Sequence, residues 1–495
     1  MLNVHLMLEW LIAHPRLSAL IVGMGLGSAF VWSFLTPVAL LALLLGVFLL
    51  ERLPQSTLPA VLTIIFGCKA LLSLSWFLSA YPITWLFELS PSTQILLVFI
   101  YWFICAVFLS SAGIVLALLW RLSQRFSWRV YLLPLLWVVA EYLGAVIFSI
   151  LSAGPGSYIT GAFSFGHVGY LFSWLTPLAI FGGAYGIGII GVFIVVGTYQ
   201  YLTKRQGKLF LCSLALVGGL FMLAHETIEL RELEGRFILI NTNFDSQVAV
   251  EERAEALNEM VEAALTEGGD YLLLPEDARY LYRYQLPIVG AKDAIEAWRI
   301  IHATNTATII DSGRTNDEVT GAVVQRAFVW GNDGEIYTAD KQYLVPQGEF
   351  MPSLAVFALR FVGFGEVAGA LAEMINYTAS RRVVAADAQS DIPNILFCFE
   401  SVSPLAAKSL VRNRPSDFIM HPMSHSWFHD PVVVWRQLDT MLRFQAVYAR
   451  TPIISVGNEI RGKVYQSNGQ IIEPATIATF PYGTIDVVEI VPANE

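Results

Sequence analysis

Three apolar runs in the C-terminal half of this 495-residue chain end in side chains of unlike chemistry. YLLLPED (271–277) closes on Glu276, TADKQYLVP (338–346) carries Lys341, and NILFCFES (394–401) carries Cys398. A cysteine attacks as thiolate and so needs a base, and the anionic tetrahedral intermediate that follows needs a fixed positive donor. Glutamate as base, lysine as oxyanion stabiliser and cysteine as nucleophile make a complete acyl-transfer site. Singly, each is weak: strand-end Glu and Lys are usually solvated, and a lone cysteine in an apolar run is usually a small hydrophobe. Cys398 is the only cysteine after Cys212, so no disulfide is expected within this half.

The elements that must hold these residues have a readable pattern. RFILINTNF, YLLLPED, TATIIDSG, AVVQRAFVW, NILFCFES, SDFIMHP and TPIISVGN read as buried strands ending in polar residues. EERAEALNEMVEAALTEGG (251–269) has helical apolar spacing and a glycine stop. Asn332-Asp333-Gly334 between alternating runs predicts a hairpin turn. Strands alternating with helices predict an α/β domain, in which chemistry gathers at strand ends.

The N-terminal half is of another kind. Over the whole chain only 14% of residues are charged, against about 25% in a typical soluble domain. That excludes a disordered chain, a nucleic-acid binder and an ordinary cytosolic enzyme. Met1 to Ala224 hold 9 Lys+Arg and 4 Asp+Glu, whereas the remainder holds 21 and 36, so the first part is oily and slightly basic and the second acidic. The expected division is a transmembrane domain of about seven helices over 1–227 and a globular catalytic domain over 228–495.

Candidate spans run 17–35, 36–50, 58–78, 93–120, 128–151, 170–200 and 209–225, with no evident cleavable signal peptide. Arg16, Arg52, Arg121, Arg125, Arg129, Lys204, Arg205 and Lys208 fall in alternate loops, while loops 79–92 and 152–169 hold no Lys or Arg. Positive charge stays cytoplasmic, which predicts a cytoplasmic N-terminus, seven crossings and a catalytic domain on the extracytoplasmic, periplasmic side of the cell (inner) membrane. Lys69 and Glu141 lie within spans and read either as a polar substrate groove or as a mutual pair. The Gly- and aromatic-rich segment 152–170 reads either as an access route to the site or as an interfacial aromatic belt.

The three motifs together resemble the nitrilase, or carbon–nitrogen hydrolase, superfamily. LLLPED matches its glutamate motif, DKQYLVPQGEFMP its lysine motif and FCFES its cysteine motif; in the middle one Lys341, Leu344, Val345, Pro346, Gly348, Glu349 and Pro352 all fall in place. With a multi-span bundle in front, the chain resembles a divergent member of the apolipoprotein N-acyltransferase family. LLWVVAEYLG with Trp137 and Glu141 is similar to that family's fifth span, LTPLAIFGGAYGIGIIG to its sixth and GLGSAF to its first. The resemblance implies an αββα sandwich behind an α-helical membrane bundle.

It also implies a phospholipid acyl donor, a thioester on Cys398, and an apolipoprotein whose diacylglyceryl-cysteine amine accepts the chain, with the enzyme a monomer. Glu276, Lys341 and Cys398 would be catalytic, Glu349, Glu400 and Phe399 supporting, and Trp427 and Glu141 substrate-binding. Departures fall mostly on the acceptor side. Gly144 or a neighbour stands where an Arg is expected, and Phe399 replaces Tyr. Ser424-His425-Ser426-Trp427-Phe428 and Gln445-Ala446-Val447-Tyr448 stand for altered motifs, and no C-terminal span follows PYGTIDVVEIVPANE.

Two rival readings share these residues: a membrane-tethered amidase acting on a small substrate, and a catalytically inactive envelope scaffold. His421, His425 and His429 recur every four residues, the spacing of one helix face. Pro422 and Pro431 oppose a continuous helix and no acidic or thiolate ligands accompany them, so no metal and no cofactor are expected.

Overall fold

The structure, a computed structural model, describes residues 2–84, 90–159, 163–204, 207–227, 233–245, 248–280, 307–331, 335–361, 363–385, 387–429 and 432–490. The Asn332-Asp333-Gly334 turn, residues 160–162 of the aromatic loop, Arg205 and Pro431 lie outside the described residues.

The N-terminal half is a helical bundle: α1 (Leu2–Ala13), α2 (Pro15–Val31), α3 (Thr36–Arg52), α4 (Leu58–Ser73), α5 (Pro91–Leu122), α6 (Leu133–Leu151), α7 (Gly183–Lys204) and α8 (Gly207–Thr227). Helices α2 to α6 all carry a proline in their first turn, where its missing N–H costs nothing and its fixed φ starts a helix. Close approach is bought with small residues: a Cβ on Gly113 of α5 would stand 2.4 Å from the backbone of Leu62 in α4. The outward faces are apolar, with Leu96, Phe103 and Leu118 of α5 all more than half exposed. Among the described residues five helices are long and apolar enough to cross a membrane, or six if the helices Leu6–Ala13 and Pro15–Val31, bent by 105°, form one span.

The expected continuous span over 170–200 is interrupted. Val168–Phe181 is a 3-10 helix containing Pro177, and α7 begins only at Gly183, which like Gly182 holds positive φ. The 3-10 segment lies against the C-terminal half, so packing there overrides its hydropathy.

Among its described residues that half holds twelve strands: β1 (Gly235–Thr242), β2 (Tyr271–Leu273), β3 (Thr308–Asn316), β4 (Val323–Trp330), β5 (Ile336–Asp340), β6 (Asn394–Ile395), β7 (Ile419–Ser424), β8 (Ile453–Asn458), β9 (Val464–Tyr465), β10 (Ile471–Ile472), β11 (Ala475–Phe480) and β12 (Gly483–Ile490). One group runs β11-β12-β1-β2-β3-β4-β5 and the other β6-β7-β8-β9-β10, joined at the Thr242–Asn458 pairing of β1 with β8. Together they form a nearly closed mixed sheet.

Alternation along the strands sorts side chains into layers. Ile238 and Ile240 of β1 face α9 (Val250–Glu267) through Leu257, Met260 and Val261, while Phe237 and Leu239 face the other strand group. Phe418, Met420, Ile454 and Val456 meet them from that group. On its far side Ile419 and Ile453 pack on Ala406 and Ala407 of α12 (Ala406–Asn413) and on Leu442 and Ala446 of α13 (Val432–Ala449). Helix, strands, strands, helix is the layer order of an αββα sandwich, as the resemblance implied. Two short helices, α10 (Ser353–Phe361) and α11 (Gly365–Met374), project beyond β5.

Helix α13 also joins the halves. Its Val434, Leu438, Met441, Phe444 and Val447 belong to the bundle's own apolar cluster, and Gln437 Nε2 donates to the Ser73 carbonyl at 2.8 Å.

Candidate active site

Each chemical residue sits just past a strand whose pairing fixes it. Glu276 follows β2, its N–H donating to the Met423 carbonyl at 3.3 Å. Asp277 and Arg279, beside it, hold positive φ, a conformation that ordinary side chains adopt only where surroundings impose it. Lys341 follows β5, its N–H donating to Gln325 O at 2.9 Å. The preceding residue, Asp340, pairs across the ladder with Arg326 at 2.6 and 3.0 Å, both side chains buried. Cys398 opens a 3-10 turn (Cys398–Val402) just after β6.

The structure brings these residues together. Lys341 Nζ donates to Glu276 Oε1 at 2.9 Å and to Glu349 Oε1 at 2.7 Å. The other Glu349 oxygen accepts the Val345 N–H at 2.8 Å, locking the lysine loop. Glu400 ties that loop to the cysteine turn, accepting from Gln342 N at 2.6 Å and from Phe397 N at 2.9 Å. Cys398, the least buried of the three, has its Sγ 3.8 Å from the Ser424 carbonyl.

Electrostatics suits the arrangement. Burial pushes the Cys398 thiol up to about 12, with the Glu276 carboxylate adding to the rise and the Lys341 ammonium opposing it. Burial also raises Glu276 to about 7; Lys341 pulls it down and Glu349 pushes it up. Burial works against the Lys341 charge, but Glu276 and Glu349 outweigh it and hold the ammonium well above its ordinary value. Burial lifts Glu400 to about 7 against its backbone donors. At neutral pH the site therefore holds a protonated thiol, a cationic lysine and a carboxyl poised to exchange a proton.

A cleft lies beside this centre, between the lysine loop and the bundle. It is lined by Phe399 and by Tyr343, Leu344 and Phe350 of the lysine loop on one side, and by Phe148 of α6 and Phe163 on the other. Trp427 covers Gly348, where a Cβ would fall 2.4 Å from the indole, so only glycine admits the ring.

Other sequence-predicted residues lie elsewhere. Glu141 is not in the cleft: it is buried in the bundle, paired with Lys69 and accepting from Trp137 and Val168. The three histidines share no helix face. His421 lies on β7 with Nε2 3.3 Å from the Cys398 carbonyl, His425 Nδ1 accepts from Trp435 at 2.7 Å, and His429 Nε2 donates to Pro82 O at 2.7 Å. Burial drives His421 down to about 3 and His425 to about 4, so both are neutral. Sequence reasoning missed the His421 and Ser424 contacts with the cysteine turn. The strand-end run SDFIMHP was the available signal, and its histidine spacing pointed toward metal instead.

Fold and site define a class: an apolar helical bundle fused to an αββα domain with a Glu–Lys–Cys cluster at its strand ends. Comparison with known proteins carries this further. The chain is 22% identical over 493 residues to the apolipoprotein N-acyltransferase of Rickettsia bellii (strain RML369-C), covering 94% of this chain and 90% of that one. The apolipoprotein N-acyltransferases of Rickettsia typhi and Rickettsia prowazekii are 21% and 22% identical, over 70% of this chain and 68% of theirs. No family model matches the sequence. Among solved structures, a carbon–nitrogen hydrolase from Helicobacter pylori G27 aligns over 52% of this chain and 90% of its own, at 12% identity and a TM-score of 0.36. A CN-hydrolase superfamily protein from Xanthomonas campestris aligns over 52% and 91%, at 15% identity and a TM-score of 0.34. Over nearly its whole length the chain is thus similar to an apolipoprotein N-acyltransferase, and its apolar helices are those of a multi-pass membrane protein.

Proposed function

We propose that this protein is an N-acyltransferase that moves a fatty acyl chain from a membrane phospholipid, through a thioester on Cys398, to the α-amino group of an apolipoprotein's diacylglyceryl-cysteine. One observation carries the reading: a buried ammonium, Lys341, held between Glu276 and Glu349 beside Cys398, whose neighbour Phe399 lines a cleft shared with the bundle.

Glu276 takes the thiol proton as sulfur bonds to the ester carbonyl carbon. With the thiol near 12, the proton leaves as that bond forms rather than beforehand. Lys341 and the backbone N–H of Phe399 stabilise the oxyanion. The carbon–oxygen bond then breaks, Glu276 returns the proton to the glycerol oxygen, and a lysophospholipid departs. The acceptor amine attacks the thioester, Glu276 takes its proton and passes it to the sulfur, and an amide is left with the thiol restored. Glu349 and Glu400 hold the lysine loop, while Phe399 and Trp427 line the acyl and acceptor sides. Aromatic walls keep water from a thioester that amines attack readily.

The catalytic domain, 228–495, would stand on the extracytoplasmic face behind a bundle of seven crossings, 1–227. The alternation of Lys and Arg between loops supports that orientation.

Incubation with phospholipid and mass analysis of the purified full chain tests the reading. An acyl adduct on Cys398 is expected, with stoichiometric lysophospholipid and release of the adduct by a diacylglyceryl-cysteine peptide. No adduct, or unchanged turnover in Cys398→Ser, would reject it. Hydrolysis of small amides without lysophospholipid would assign the site to an amidase instead.

A further inference from the structure

Inside the bundle lies a buried polar cluster that the proposed reaction leaves unused: Lys69, Glu141 and His167, each at most 9% exposed. Lys69 Nζ pairs with Glu141 Oε1, to which Trp137 Nε1 also donates at 3.2 Å. The second Glu141 oxygen accepts the Val168 N–H at 3.0 Å and stands 3.2 Å from His167 Nε2. A buried ion pair is poor evidence of net stabilisation, since removing its charges from water offsets their attraction. What this one does is hold a loop.

That loop leads to the nucleophile. The His167 N–H donates to Ser164 O at 2.9 Å and His167 Nδ1 accepts from Gly169 N at 3.1 Å, closing residues 164–169 into one unit. Ser164 Oγ donates to the Val402 carbonyl at 2.5 Å, and Val402 ends the turn that Cys398 opens. One residue earlier, the Phe163 ring stands 6.1 Å from that of Phe399 and lines the cleft.

We propose that Glu141 is a positioning residue for Cys398: clamped by Lys69 and His167, it holds the 163–168 loop so that Ser164 and Phe163 set the nucleophile turn against the end of the bundle. The bundle is then part of the active-site frame as well as the path for lipid. This inference rests on Cys398 being the nucleophile, and its test is arranged to separate the two.

Two rates are read on the purified full chain: acylation of Cys398 by phospholipid, and alkylation of the Cys398 peptide by iodoacetamide across pH, which needs no acyl donor. Ser164→Ala should slow both by about fivefold, the size of one lost hydrogen bond, with the thermal midpoint nearly unchanged. Glu141→Gln should slow both by at least as much, and Lys69→Arg should retain most of the native rates. The double variant Ser164→Ala/Glu141→Gln should be no slower than its slower parent, because both substitutions break one path. Native rates in Ser164→Ala and Glu141→Gln, or losses that multiply in the double variant, would overturn the proposal. A wild-type protein that alkylates normally at Cys398 yet never acquires an acyl group would overturn the acyltransferase reading alone.

Discussion

Lys341 donates from Nζ to Glu276 Oε1 at 2.9 Å, inside a site where both side chains are buried. The ammonium does two things there: it keeps a carboxylate ionisable where burial favours the acid, and it presents positive charge beside a cysteine.

Replacing it should remove both. Lys341→Met is expected to lower the single-turnover acylation rate by roughly 10²–10³-fold, the usual cost of an oxyanion donor. It also leaves Glu276 and Glu349 facing each other without a cation, so the pH midpoint of any residual rate should move upward. Lys341→Arg should not rescue, because a planar guanidinium cannot occupy a point-charge site between two carboxylates. Rapid-quench mass spectrometry of the Cys398 peptide measures all three.

The pH dependence has a definite sign. The folded-state value of Glu276 is raised from 4.5 to about 7, so over that window the folded protein holds a proton the unfolded chain has released. Stability contributed by this group is therefore greatest at low pH and falls as pH rises through the window. Glu400, raised to about 7 by burial, acts in the same direction. Thermal melts in detergent should show the midpoint falling between pH 4.5 and 7, and Glu276→Gln should flatten that fall. The acylation rate should run the other way, rising through about pH 7 as Glu276 becomes a base.

Asp340 precedes Lys341 and pairs with Arg326, both at most 2% exposed. Asp340→Ala removes both of its bonds to the guanidinium, whose Asp317 contact at 2.9 Å remains. Breaking a buried pair from one side costs about 3–5 kcal/mol, so a marked drop in thermal midpoint is expected. Because Lys341 is the next residue, acylation should slow as well. Arg326→Ala/Asp340→Ala together should cost less than the two single losses added, which a double-mutant cycle reads directly.

The cluster of Glu276, Lys341 and Cys398 was legible because each residue interrupts an apolar strand run at its polar end, where sheet geometry leaves side chains free to converge. The layers were legible in part. Alternation in RFILINTNF does divide Phe237 and Leu239 from Ile238 and Ile240, but which partner each face meets depends on strands more than 150 residues away. The run 170–200 misled because hydropathy does not distinguish lipid from a packed protein neighbour: Tyr170 sets its ring 5.6 Å from Phe444 of the C-terminal half. The even spacing of His421, His425 and His429 would mean one face only on a helix, which Pro422 and Pro431 already opposed, and His421 lies on a strand.

By itself the sequence determined the composition of the two halves, the chemical groups available for catalysis and the strands that carry them, since these follow from local periodicity and residue type. Only the tertiary structure decided that Glu349 shares the lysine, that Glu400 ties two loops together, and that Glu141 answers to Lys69 and the Val168 backbone rather than to the cleft. Such partnerships join residues from 8 to 72 positions apart, and buried polar atoms take whichever partner the finished packing brings within reach.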